Sequence, residues 1–193
     1  MTGMDKPALT RVAREAVAGD PQALARLLDE LEPLIVRTTR LIVGAGSVAA
    51  EDAAQEALID MARAITRLRD PEAVVGWAAR IASRRALHAA RWERVRRRRE
   101  HELVAFSSAV QPDDERRAAL SSAFDRLPRR QRAIAVLRLY LGLSEAETAD
   151  VLGISVGAVK SQLYEARRQL AQSLGDLGLA PATRPAASAK GTP

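Results

Sequence analysis

Nine arginines crowd the stretch from Trp77 to His101 against only Glu93 and Glu100, a local net charge of +7. Guanidinium groups at that density suit a polyanion, because each can neutralise a phosphate and release a condensed counterion. The same stretch holds Trp77 and Trp92, and an aromatic wall can receive a base that has left its stack. Trp77 shares a helical register with Ile81 and fits a core better than a stacking platform; Trp92, set among arginines, is the better candidate contact. A second basic block, residues 126–175, carries +4, and residues 102–125 between the two blocks carry −3. Residues 1–76 also sum to −3. On charge alone a solvated helix face would account for either block.

Other chemistries lack their groups. The two histidines, His88 and His101, stand thirteen apart in basic surroundings, with neither metal-ligand spacing nor a nucleophile beside them. Cysteine is absent, which removes disulfides and thiolate metal sites. No glycine-rich phosphate loop occurs. No catalytic residue, metal ligand or cofactor site is therefore expected, and an enzyme is not. The first fifteen residues carry five charges and no apolar signal core, and no apolar run approaches eighteen residues. The expectation is a cytoplasmic protein with no membrane insertion.

The elements that must position these groups are helical. Apolar residues make up 47% and aromatics 3%, and the abundance of Ala and Leu favours an all-α fold. Asp20-Pro21 and Asp70-Pro71 each set a capping carboxylate before a first-turn proline. Leu24, Leu27, Leu28 and Leu31 follow the first of these, and Trp77, Ile81 and Leu87 follow the second. Between them, one helix is predicted over Leu34 to about Val43, ending at Gly44-Ala45-Gly46, and another from near Ser47 through Leu58, Met61, Ile65 and Leu68. From Arg94 to about Gln111 the period is lost. A second helical unit starts near Leu120, with Ala123, Phe124 and Leu127 in register; the next helix starts at Pro128 and stops at Gly142. The segment after residue 175 is rich in Ala, Pro, Ser and Thr and is expected to be disordered.

Glu145 to Tyr164 fits a helix-turn-helix. Ser144 and Glu147 match a capping box, Ala149 is small where two helices approach, and Gly153 stands at the turn, where a positive φ is needed. Val159, Leu163, Ala166, Leu170 and Leu174 form one apolar stripe. Lys160, Ser161, Gln162, Tyr164, Glu165, Arg167 and Arg168 are left on or near the solvent side. Lys160 and Arg168 suit phosphates, Gln162 could pair with adenine, and Glu165 could accept from cytosine. In the amino-terminal half, Asp52, Gln55, Glu56 and Ile59 lie at i, i+3, i+4 and i+7 and share one helix face. Such a mixed polar-acidic stripe suits docking on a basic partner surface.

Leu127-Pro-Arg-Arg-Gln-Arg132, Leu137 to Ser144, Glu147-Thr148-Ala149, Leu152 to Ser155 and Val159-Lys160-Ser161 closely resemble region four of extracytoplasmic-function (ECF) RNA polymerase sigma factors. Ala50 to Ala57 is similar to the polymerase-binding helix of that family's region two. Trp77, Arg80-Ile81-Ala82 and the arginines beyond resemble the helix that melts and reads the minus-ten element. The resemblance runs from about residue 15 to 175. It implies two small helical domains: region two over 1–100, a linker over 101–118, region four over 119–176, then a tail over 177–193. It further implies a minus-thirty-five face of Lys160, Ser161, Gln162, Tyr164, Glu165, Arg167 and Arg168, and a minus-ten set of Trp77, Arg80, Arg84, Arg85, His88, Arg91 and Trp92. Polymerase binding falls to Asp52, Gln55, Glu56 and Ile59. Core RNA polymerase, promoter DNA and an anti-sigma factor are the implied partners, with no cofactor. The chain departs from the family at Arg84, His88, Ala158 and Gln162, where Asn, Asp, Thr and Arg are usual; the first two sit where the family's base-capturing loop meets its helix, so minus-ten preference does not carry over. The linker's place near the polymerase active-site channel is implied by position only. The alternative is a helix-turn-helix regulator acting without polymerase, which leaves the amino-terminal helices unexplained.

Overall fold

The computed structural model describes residues 5–44, 47–99 and 115–176. They form α1 (Lys6–Val17), α2 (Pro21–Val43), α3 (Val48–Ala64), α4 (Val74–Arg99), α5 (Glu115–Arg126), α6 (Arg129–Ala135), α7 (Glu145–Leu152) and α8 (Val156–Asp176). Short 3-10 turns at Ile65–Arg67 and Pro71–Ala73 join α3 to α4. A π-helical turn, Val136–Tyr140, extends α6. The expected disordered tail and all but the last residues of the expected linker lie outside the described residues.

Local chemistry explains most helix starts. Asp5, Asp20 and Asp70 each cap their following turn by accepting backbone N–H donors, and each precedes a proline or lies close to one. The helix α1 was not anticipated from pattern. Where the sequence suggested two helices between Pro21 and Val43, the structure has one, running through Pro33. An internal proline removes one hydrogen bond and costs about 3 kcal/mol. Here Leu27, Leu31, Ile35 and Ile42, all fully or almost fully buried on one side of the helix, outweigh it, since burying each such side chain contributes about 1.5–3 kcal/mol. The period expected to fail at Arg94 continues in the backbone to Arg99, and α5 begins at Glu115, before the apolar run at Leu120 that signalled it.

The helices α1 to α4 enclose one core, in which Leu9, Leu27, Ile35, Met61, Ile65 and Val74 supply the bulk. Where α3 meets α4 the facing residues are alanines, Ala54 and Ala57 against Ala78 and Ala82. Small side chains let helix axes approach toward the lower end of the usual 8–10 Å range. A second core joins the two halves of the chain: Ile42 and Val43 of α2 and Ala86 and Ala90 of α4 pack with Phe124, Leu127, Val136 and Leu170. The carboxy-terminal unit thus sits directly on the amino-terminal bundle.

Candidate nucleic-acid and polymerase interfaces

The helix-turn-helix is α7–α8. Ser144 Oγ accepts the Glu147 N–H at 3.2 Å, and Glu147 Oε2 accepts the Ser144 N–H at 2.8 Å, closing the capping box. These hydrogen bonds hold the Glu147 carboxyl below its ordinary pKa. Gly153 ends α7 in the left-handed region, φ 63° and ψ 44°, and Ser155 Oγ accepts the Ala158 N–H to start α8. Ile134, Ala149, Val159 and Leu163 form a small core that locks α8 to α6 and α7. That packing leaves Lys160, Ser161, Tyr164, Arg167 and Arg168 exposed and Gln162 and Glu165 half-buried. Tyr164 is 70% exposed, a large aromatic with no packing role. Within this face Arg168 pairs with Glu165 at 2.8 Å and Lys160 with Glu145 at 3.6 Å. The Glu165 carboxylate envisaged as a cytosine acceptor is thus already engaged.

The arginine-rich helix α4 distributes its groups over three neighbours. Trp77 is half-buried and packs with Ile81 on the amino-terminal core. Arg80 reaches Glu147 at 2.9 Å and Arg84 reaches Asp150 at 3.1 Å, both across to α7. Arg85 turns the other way, to α3, where its Nε and Nη2 donate to the two oxygens of Asp60 at 2.5 and 2.7 Å and its Nη1 donates to Glu56 at 3.0 Å. The Asp60 hydrogen bond holds the Arg85 guanidinium above its ordinary pKa, against a smaller effect of burial. Farther along, His88, Arg91 and Trp92 are exposed together. Trp92 Nε1–H donates to His88 Nε2 at 3.0 Å, and the rings meet edge to face with centroids 6.2 Å apart. Arg91 lines a cleft of about 440 Å³ with Arg129, Arg130, Leu87 and Ile154.

The four residues of the acidic stripe on α3, Asp52, Gln55, Glu56 and Ile59, are all exposed. Ile59 is 48% exposed, an apolar group left to solvent beside carboxylates, of which Glu56 also reaches Arg85 of α4. Sequence reasoning missed Asp60, which shares Arg85 with Glu56, and it missed Glu147 and Asp150 as partners of Arg80 and Arg84. It also missed Arg132, 7% exposed, whose Nη1 donates to Asp125 at 2.6 Å. Burial pushes the Arg132 guanidinium below its ordinary pKa, with Asp125 opposing. No group of three or more His, Cys, Asp or Glu side chains among the described residues could hold a metal ion. No helix among them is long and apolar enough to cross a membrane.

Two protein families match in chain order: Sigma-70 region 2 over residues 27–99 and Sigma-70, region 4 over residues 117–170. The ECF RNA polymerase sigma factor SigD of Mycobacterium tuberculosis is 32% identical over 177 residues, covering 84% of this chain and 82% of the relative. ECF RNA polymerase sigma factor SigM of the same organism is 35% identical over 167 residues, covering 83% and 82%. The chain is an ECF sigma factor. As such it serves RNA polymerase in transcription initiation, and the reading as a helix-turn-helix regulator without polymerase is not favoured. The fold is also similar to a solved sigma factor RpoE from Bartonella quintana, in complex with the anti-sigma factor NepR. That structure has TM-score 0.61 and 19% identity over 75% of this chain and 92% of that one. Within the sigma factor, α1–α4 contain the region-two match and α5–α8 the region-four match.

Proposed function

We propose that this sigma factor divides promoter work among three helix faces. The α3 face of Asp52, Gln55, Glu56 and Ile59 docks core RNA polymerase, with Ile59 entering the partner surface and the carboxylates meeting basic groups. The α4 face of Arg80, Arg84, His88, Arg91 and Trp92, with Arg85 beside it, captures the unpaired strand at the minus-ten element. Trp77 serves that face from beneath, as a packing anchor. The α8 face of Lys160, Ser161, Gln162, Tyr164, Glu165, Arg167 and Arg168 enters the major groove at the minus-thirty-five element. The observation that carries this reading is the division of α8 into a buried stripe on one side and exposed donors on the other.

In this reading the protein acts by binding alone, without catalysis, in the cytoplasm, and region 2 and region 4 span 1–100 and 119–176. An anti-sigma factor holds it idle, a partner class suggested by the solved relatives in complex with such proteins. The test is transcription from a promoter library by core polymerase with this protein. Start sites should share two sequence elements at fixed spacing. Charge reversal at Asp52 and Glu56 should abolish core binding; it also sets a cation beside Arg85, which Asp60 still holds, so the fold should survive with a modest loss of stability. A folded double variant that binds core polymerase like wild type would move the docking face elsewhere.

A further inference from the structure

Three guanidiniums converge on the cleft of about 440 Å³ beside α4: Arg91 from α4 itself, and Arg129 and Arg130 from the start of α6. Arg129 is already aimed, because its Nη1 donates to the Ala90 carbonyl at 2.8 Å, one residue before Arg91. A guanidinium carries five N–H donors in a rigid fork, so this contact orients Arg129 and leaves its other donors to the cleft. Arg91 and Arg130 are exposed and have no ion-pair partner among the described residues. No acidic side chain among those residues lines the cleft. Elsewhere the arginines of these helices are neutralised: Arg80, Arg84, Arg85 and Arg132 each meet a carboxylate at 3.1 Å or closer.

The rest of the lining is apolar, with Leu87 of α4, Leu152 at the end of α7 and Ile154 just beyond it. A cleft of a few hundred Å³ with apolar walls and a few convergent polar groups is the usual form of a small-molecule site. Here the polar side chains are all cationic, so the matching ligand is an anion with an apolar body. Three positive charges with no carboxylate among them suit a chain of phosphates better than one carboxylate. The leucine and isoleucine side chains offer a surface to the flat face of a base. A single strand carries one phosphate per base, whereas three guanidiniums round one small cleft suit several phosphates on one base. We propose that this cleft is a nucleotide site. It takes a nucleoside di- or triphosphate, with the phosphates on Arg91, Arg129 and Arg130 and the base on Leu87, Leu152 and Ile154. The site does not depend on how α4 and α8 meet promoter DNA, although Arg91 belongs both to the α4 face and to the cleft.

The test is calorimetric titration of the full-length protein with ATP and with GTP, beside inorganic tripolyphosphate and a mixed-sequence single-stranded oligonucleotide. Arg130→Gln removes a cleft charge at an exposed position. Arg11→Gln makes the same charge change at an exposed position on α1, which contributes nothing to the cleft, and serves as the control. At least one nucleotide should bind at a single site per chain, about tenfold or more tighter than tripolyphosphate, because burial of the base adds to the phosphate contacts. Arg130→Gln should weaken that binding about three- to tenfold, the range for one charge-assisted contact partly screened by solvent. The control should stay within about twofold of wild type, since a distant exposed charge is largely screened. The nucleotide should also raise the thermal midpoint of the wild-type protein, and Arg130→Gln should lose most of that rise. Equal affinity for nucleotide and tripolyphosphate would make the cleft a patch of charge and overturn the proposal. Equal effects of Arg130→Gln and Arg11→Gln would overturn it too, as would no heat of binding at about 1 mM nucleotide. If the oligonucleotide binds in place of the nucleotides and loses affinity in Arg130→Gln, the cleft is an extension of the strand-binding face, and the nucleotide site is wrong.

Discussion

Arg85 and Arg91 stand less than two turns apart on α4, yet their neutralisation should have opposite signatures. Arg85→Ala deletes a two-pronged contact to Asp60, at 2.5 and 2.7 Å, and a third contact to Glu56 at 3.0 Å. An exposed ion pair is worth about 0.2–1 kcal/mol, and a bidentate guanidinium–carboxylate pair is roughly twice as strong as a neutral hydrogen bond. The Arg85 and Asp60 side chains are 36% and 30% exposed, so solvent screens part of the gain, while Asp60 would be left half-buried without its partner. The expected loss is about 1–2 kcal/mol. Arg91 is exposed and has no ion-pair partner among the described residues, so Arg91→Ala should change stability by less than about 0.5 kcal/mol. Urea unfolding followed by far-ultraviolet circular dichroism should show a lower midpoint for Arg85→Ala with an unchanged slope. Permanganate footprinting of the holoenzyme should then show Arg91→Ala defective in strand opening at elevated salt although fully folded. A midpoint for Arg85→Ala equal to that of Arg91→Ala would refute the structural role of Arg85 and return it to the strand-binding set.

Gly153→Ala should cost about 1–2 kcal/mol, purely from the left-handed backbone at φ +63°, since nothing lies within 4 Å of the added Cβ; an unchanged urea midpoint would contradict it. Lys160→Ala should weaken binding to all duplex sequences and reduce the salt slope by about one unit. Gln162→Ala should instead alter which sequence is preferred, by about 1–3 kcal/mol for a bidentate contact, read from a promoter-library profile. Glu147 has a depressed carboxyl pKa, caused first by its hydrogen bond from the Ser144 backbone. Its contribution to stability is present above the unfolded pKa and is lost as pH falls through the folded one. Glu147→Gln should therefore flatten the acid limb of the stability profile, and an unaltered limb measured by dichroism would remove that linkage.

The helix-turn-helix was legible because its determinants are local. Ser144 and Glu147 are three residues apart, Gly153 needs only its own backbone, and the stripe from Val159 to Leu170 repeats at the helical period. The acidic stripe on α3 was legible for the same reason, since one helix turn sets its geometry. What escaped depends on distance or on competition. Arg80 and Glu147 are 67 residues apart, and nothing near either residue signals the other. The core shared by Ile42, Ala86, Phe124 and Leu170 uses the same apolar pattern that would close two separate domains, so the pattern alone could not reveal it. At Pro33 a strong local signal to break the helix lost to burial of Leu31 and Ile35 on either side of it. The π-helical turn has no residue signature at all.

That turn fixes the angular phase of the helix-turn-helix. Leu141 N–H donates to Val136 O, five residues back, and Leu143 N–H to Leu137 O, so α6 is followed by one residue more than an α-helix would hold. Each residue of an α-helix turns the chain by about 100°. The surplus residue thus sets how Tyr140 and the start of α7 are rotated relative to Arg132 and Ile134. Its outward member, Leu139, is 42% exposed and contributes little packing. A chain lacking it would lose little buried area at that residue, but α7 and α8 could turn only by pulling Ala149, Val151, Val159 and Leu163 off their partners. Angle and stability are therefore tied together in this fold, and a variant at this turn that stays fully stable should keep its helix-turn-helix at the same angle.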